Sequence, residues 1–219
     1  MPVFNTDSVT IVRKKGKKTV ISALILALIL VVVGLSLTFG RMWYESEKSN
    51  VRIEERAEQA FRYARRNRLS TNYCVFVDYG IPSGIPRVFV WSFDERKVVY
   101  RGYAMHGPGK GSTARKPVFS NVPGSHCSSL GKFEVTRRHG ARNRSGYYLK
   151  GLERSNSRAY SRGIMIHGSR WVDNNTWRRY IPLNGKSCLG CVTVSRKDMR
   201  YIGRIIESED RHILLWSYC

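Results

Sequence analysis

Two short runs, Gly163-Ile164-Met165-Ile166-His167-Gly168 and, after a loop, Ser187-Cys188-Leu189-Gly190-Cys191-Val192-Thr193-Val194, each bring a reactive side chain to the end of an apolar segment. Ile164 to Ile166 is too short and too β-branched for a helix, and Val192-Thr193-Val194 leaves the cysteine in the same extended manner. Both groups are therefore expected at strand ends or on tight turns. A cysteine becomes a strong nucleophile when an imidazole takes its proton, and the two must be neighbours in space only. Cys191 is thus the candidate nucleophile and His167 the candidate base. Gly190 permits a backbone conformation that aims successive N–H groups at one point, which makes Ser187, Gly190 and the Cys191 N–H candidates for holding an oxyanion.

A strand ending in His-Gly, then a loop, then the serine- and glycine-bearing run into Cys191, resembles the L,D-transpeptidase catalytic domain of bacterial cell-wall enzymes, the YkuD-like fold. Met105-His106-Gly107, Phe119-Ser120-Asn121, Ser128-Ser129-Leu130-Gly131 and Gly151-Leu152-Glu153 precede those two stretches in the order of the murein L,D-transpeptidase branch. The resemblance covers about residues 58–195. It implies that Cys191 attacks a carbonyl of a peptidoglycan stem peptide, that His167 is the base, and that a backbone carbonyl near Gly168 orients the imidazole. His106 becomes a candidate lining residue and Arg170 a candidate for holding a substrate carboxylate, and no metal or cofactor is required. Many relatives carry His two residues before the nucleophile and Arg, Asn or Pro after it, where this chain has Leu189, Val192 and Thr193. The same resemblance admits a carboxypeptidase, with water as acyl acceptor, and an inactive cell-wall-binding protein.

The rest of the chain limits the setting. Its 219 residues are 42% apolar and carry a formal charge of +22, with 38 Lys and Arg against 16 Asp and Glu. Such a surface favours anionic partners: nucleic acid, anionic lipid or carboxylate-rich wall peptides. Residues 1–18 form a basic tail ending Arg13-Lys14-Lys15-Gly16-Lys17-Lys18. Residues 19–40 carry no charge and, at about 1.5 Å per helical residue, extend roughly 33 Å, enough to cross a bilayer. The positive-inside rule puts the tail in the cytoplasm and the remainder in the periplasm or on the outer face. A cleaved signal peptide is the competing reading, but Leu37-Thr38-Phe39-Gly40-Arg41 lacks a small-residue cleavage pattern. This outward topology, with no nucleic-acid motif, argues against nucleic acid as partner.

Residues 41–69 read as a juxtamembrane helical stalk and first helix, with Val51, Ile53, Ala57, Ala60, Phe61 and Ala64 on one stripe. Residues 70–219 read as the catalytic domain. Strands are expected at Tyr73–Asp78, Arg87–Phe93, Lys97–Ala104, Gly131–Thr136, Tyr147–Lys150, Arg162–His167, Cys191–Val194 and His212–Tyr218. Short helices are expected over Ser195–Arg204 and around Thr176–Tyr180. The fold class is mainly β: a compact β-sandwich or barrel-like domain with a few short helices, preceded by one transmembrane helix.

Five cysteines are present. Outside the cytoplasm thiols pair, and an odd number leaves one free, as a nucleophile needs. The pairings considered are Cys74 with Cys219 and Cys127 with Cys188; the alternative is buried free thiols. Cys188-Leu189-Gly190-Cys191 also has the Cys-x-x-Cys form of a redox site, but Val192-Thr193-Val194 is a poor first helical turn. No second Cys or His pair is spaced for zinc, and the sparse carboxylates give no glycosidase pair. His139 stands among Arg137, Arg138 and Arg142, and His126 and His212 read as surface or strand residues. The many arginines between Arg137 and Arg179, Arg162 among them, are further candidates for stem-peptide carboxylates.

Overall fold

The structure is a computed structural model that describes residues 7–139 and 146–219; of these, the side chains of residues 7–19, 41–43, 45, 46, 48–51 and 137–139 lie outside the description. The chain divides into two compact units, Met1–Glu45 and Ser46–Cys219. Helix α1 is assigned over Asp7–Arg66. Within the first unit its segment Val20–Gly40 is long and apolar enough to cross a membrane, and its apolar side chains are exposed.

The second unit is mostly sheet. Its strands are β1 (Tyr73–Asp78), β2 (Val88–Ser92), β3 (Lys97–Gly102), β4 (Ala104–Met105), β5 (Gly131–His139), β6 (Gly146–Gly151), β7 (Met165–Gly168), β8 (Val192–Val194) and β9 (Leu214–Tyr218). Helices α2 (Arg170–Asp173) and α3 (Arg196–Glu207) complete the assigned elements. The strands form one nine-stranded sheet in the order β3-β2-β1-β9-β5-β6-β7-β8-β4. The two edge strands β3 and β4 follow each other in the chain with only Tyr103 between them, so the sheet must curl back on itself into a nearly closed barrel. The expected strand Lys97–Ala104 is therefore two strands, broken where the chain steps from one edge to the other. Asp198 of α3 marks that step: its carboxylate accepts from Tyr103 N–H and Tyr100 O–H, both at 2.9 Å.

Two cores explain why β1 is buried along nearly its whole length. Val75 and Val77 face the barrel interior with Val88, Val90, Phe133, Leu149, Ile166 and Leu215, capped by Met199 and Ile202 of α3. Cys74 and Phe76 face outward, where Ile53, Ala57, Ala60 and Ala64 of α1 cover them. The alternation of a strand thus persists, but both faces are apolar because both are covered. The predicted stripe on residues 41–69 packs as expected at these four positions; Phe61 is half-buried, and the Val51 side chain is outside the described residues.

α3 opens at Ser195, whose hydroxyl accepts from Asp198 N–H at 2.9 Å, and continues past the predicted Arg204 to Glu207. The helix expected around Thr176–Tyr180 is not formed. The short α2 lies earlier, where the Ser169 hydroxyl accepts from Trp171 N–H at 3.1 Å and starts the turn.

All five cysteines are free thiols. The Cys74–Cys219 pairing fails on register: Cys74 lies opposite Leu214 and Asp78 opposite Tyr218, so Cys219 continues past the far end of β1. A disulfide needs Cα atoms about 4.4–6.8 Å apart, and four strand residues span roughly 13 Å. Cys127 is likewise unpaired with Cys188, whose thiol donates to the Cys191 carbonyl at 3.3 Å.

Candidate active site

β7 and β8 run parallel, with Ile166 opposite Val192, His167 opposite Thr193 and Gly168 opposite Val194. Cys191 stands immediately before β8. Two residues from Thr193, it falls on the same face of the strand, the face on which Thr193 meets His167. Cys191 and His167 are both buried, at 9% and 6% exposure, so the candidate pair is drawn from the barrel wall rather than from a surface loop. Around them Met105, Met165, Val172, Ile181, Cys188 and Cys191 form a small apolar cluster separate from the two larger cores.

The imidazole is oriented at both nitrogens. His167 Nδ1 lies 3.3 Å from the Gly168 carbonyl, and Nε2 lies 3.3 Å from the Thr193 hydroxyl. A carbonyl can only accept, so Nδ1 carries the proton and Nε2 is the basic nitrogen. Gly168 thereby sits where a backbone carbonyl was expected from sequence. Its Cα also abuts α3: a Cβ there would stand 3.1 Å from Arg196 Cα. The Cys191 thiol contacts the Gly163 carbonyl at 3.8 Å.

The turn before Cys191 is held from within. Gly190 has φ +108, and a Cβ on it would lie 2.6 Å from the Cys127 carbonyl, so this position suits glycine on two counts. The N–H groups of Gly190 and Cys191 address the Cys188 sulfur, yet burial pushes that thiol above its ordinary pKa. Cys188 is thus an internal brace of the turn, a role the sequence did not suggest. Ser187 is half-buried and its N–H bonds the Asn184 carbonyl at 3.0 Å. Leu189 is exposed beside the site.

His106 is 1% exposed and both its nitrogens are engaged away from Cys191. Arg87 Nη2 meets Nδ1 at 3.1 Å, and Nε2 donates to the Thr113 carbonyl at 2.9 Å. Burial and the Arg87 charge lower its pKa to about 4, which keeps it neutral. Arg87 is itself fully buried, donating to the Ala104 and Ile81 carbonyls at 2.9 and 3.0 Å. The next residue, Gly107, carries the motif to the site: a Cβ on it would stand 2.8 Å from Gly190 Cα. Arg170 is exposed at the start of α2. The Arg137, Arg138 and His139 side chains, and Arg142 and Arg144, lie outside the described residues.

The motif stretches converge on this turn. Phe119 bridges Ser128, Ser128 Oγ accepts from Gly107 N–H at 2.9 Å, and Ser129 Oγ donates to the Ser120 carbonyl at 2.8 Å. Asn121 donates to the Arg154 carbonyl at 3.0 Å, tying this loop to the segment after β6.

No match was found among proteins of curated function. Among solved structures, the chain is similar to the helical cell shape determining protein Pgp2 (K307A mutant) from Campylobacter jejuni at 12% identity and TM-score 0.44, covering 67% of this chain and 47% of that one. It is also similar to a fused Zn-dependent amidase/peptidase/peptidoglycan-binding domain-containing protein from Clostridium acetobutylicum, at 15% identity and TM-score 0.39, covering 77% and 62%. The chain thus spans less than two thirds of the length of either. The sequence profile of the L,D-transpeptidase catalytic domain matches residues 45–216, which is nearly all of the second unit, and by that match this chain belongs to the L,D-transpeptidase catalytic domain family.

Proposed function

We propose that this chain is a membrane-anchored cysteine acyltransferase of the bacterial cell wall, with peptidoglycan stem peptides as substrate. Family membership supports a peptidoglycan-modifying enzyme. The observation that carries the finer reading is the oriented imidazole: Gly168 fixes the Nδ1 proton and leaves Nε2 basic, on the strand paired with the one that Cys191 opens. His167 takes the thiol proton through Nε2, and the Cys191 sulfur attacks the carbonyl of the third stem residue. The tetrahedral oxyanion forms beside the Gly190-Cys191 turn, where the Ser187 hydroxyl and the turn's N–H groups, on leaving the Cys188 sulfur, are the donors. Collapse breaks the peptide bond to the terminal D-alanine, which leaves with the proton from His167, and a thioester remains. The side-chain amine of a second stem then attacks the thioester, His167 accepts its proton, and the thiol is restored. His106 supports the cleft wall, and Arg170 at its rim meets a stem carboxylate. Val20–Gly40 anchors the chain in the cytoplasmic membrane with the catalytic unit on the periplasmic or outer side.

Incubating the full chain in detergent with disaccharide tetrapeptides, beside Cys191→Ala, tests this by mass spectrometry. Loss of D-alanine with dimer formation, absent in the variant, is expected. D-Alanine loss without dimers would make it a carboxypeptidase, and a folded protein that leaves the substrate unchanged would make it a wall-binding protein.

A further inference from the structure

Arg162 lies on the segment that carries the chain from β6 to β7, and its guanidinium is committed to one loop. Nη1 donates to the Ser120 carbonyl at 2.7 Å and to Ser129 Oγ at 2.8 Å. Nη2 donates to the Cys127 carbonyl at 2.7 Å and to Ser125 Oγ at 3.2 Å. That same Nη2 lies 3.2 Å from the place where a Cβ on Gly190 would stand, and the Cys127 carbonyl it holds is the nearest atom there. The residue after it, Gly163, supplies the carbonyl that the Cys191 thiol contacts. A half-buried cation is therefore packed directly behind the turn that presents Cys191.

We propose that Arg162 is a positioning residue that locks the Gly190-Cys191 turn onto the Ser120–Ser129 loop and whose fixed charge stabilises the Cys191 thiolate. The planar fork is what lets one side chain bridge two carbonyls and two hydroxyls at once. A cation beside a thiol favours the thiolate, the form that attacks. Among the described residues, the titratable and charged groups around Cys191 include Arg162, His167 on β7, Cys188 in the same turn, and Tyr79 just past β1. Cys127 lies against Arg162, and Arg87 faces Cys188 and Tyr79. Burial raises the pKa of both Cys188 and Tyr79, the latter to about 12, so neither adds charge near neutrality. Burial lowers Arg162 from the ordinary arginine value, and the sulfurs of Cys127 and Cys191 pull it back up, the reciprocal of the effect argued for the thiol. The proposal rests on Cys191 as the nucleophile for its catalytic meaning, but not for its chemistry.

The test is alkylation of the full chain in detergent by iodoacetamide across pH, read on the Cys191 peptide by mass spectrometry, alongside acyl-transfer kinetics. In Arg162→Gln the alkylation midpoint should rise by about one pH unit, roughly a tenfold loss of thiolate at neutral pH, with kcat falling more than KM changes. Arg162→Lys should restore most of the midpoint but not kcat, because it returns the charge without the fork. A folded Arg162→Gln that alkylates with the wild-type midpoint would overturn the proposal, even if it were less stable. Should Arg162→Gln fail to fold, Arg162→Lys with wild-type kcat would overturn it instead. Alkylation needs no turnover, so this outcome is read separately from whether the chain acts on stem peptides.

Discussion

His106 sits between Arg87 and the Thr113 carbonyl with its pKa depressed to about 4 from an ordinary 6.5. The unfolded chain binds a proton at that histidine below about pH 6.5, and the folded chain does not until about pH 4. Stability from this site is therefore full above pH 6.5 and is lost as pH falls toward 4, by up to about 3 kcal/mol. Thermal unfolding at pH 7 and pH 4.5 should show the drop, and His106→Gln should flatten it while lowering stability at pH 7. Thr193 gives a second expectation at this scale. Its hydroxyl is fully buried and stands beside His167 Nε2, on the residue two past Cys191. Thr193→Val keeps the shape and removes the contact, which should cost about 1 kcal/mol in stability. Under the proposed function it should also lower kcat about tenfold and shift the limb of the pH–rate profile that reports His167. An unchanged profile would show that the hydroxyl has no part in holding the imidazole.

α3 fastens the barrel shut. Ser195 begins the helix on Asp198 N–H, and the Asp198 carboxylate then binds the backbone of Tyr103, the residue between the two edge strands. Tyr100 lends its hydroxyl to the same carboxylate and stacks on Tyr201 with ring centroids 3.9 Å apart. Asp198→Ala leaves the half-buried Tyr103 N–H and the Tyr100 hydroxyl without their acceptor, and should destabilise the second unit by about 1–2 kcal/mol in urea unfolding. Retained stability would mean that Tyr103 finds water instead. α1 is a second fastening: Arg52 meets the buried Asp78 carboxylate at 2.7 Å, at the end of β1. Residues Ile53 to Ala64 thus belong to the folded unit, and their helical stripe has a physical destination in the outer face of the sheet.

For the molecule as a whole, the exposed apolar segment Val20–Gly40 and the basic tail before it set an expectation about place. Full-length chain should stay with membranes through alkaline carbonate washing, whereas a chain beginning at Ser46 should be recovered in solution. Soluble full-length protein would show that the segment does not anchor the chain, and mature protein lacking residues 1–40 would point to a cleaved leader. The +22 charge then remains mostly on the second unit, where it suits the carboxylates of stem peptides and the anionic face of a membrane.

Sequence by itself determined the strands, because each is a short apolar run bounded by turns, and the pairing of His167 with Cys191 as candidates, because both runs end in reactive groups. It also determined the α1 stripe and the long apolar segment Val20–Gly40. Only the tertiary structure decided which edges meet. The break at Tyr103 is invisible in Lys97–Ala104, since both halves are strand and the distinction is one of partner. The roles of His106, Arg162 and Cys188 were equally hidden, for a related reason. A histidine, an arginine or a cysteine reads from sequence as a group that reacts or binds. Whether its polar atoms point at substrate or are consumed by carbonyls and sulfur from distant segments depends on what the fold packs against it.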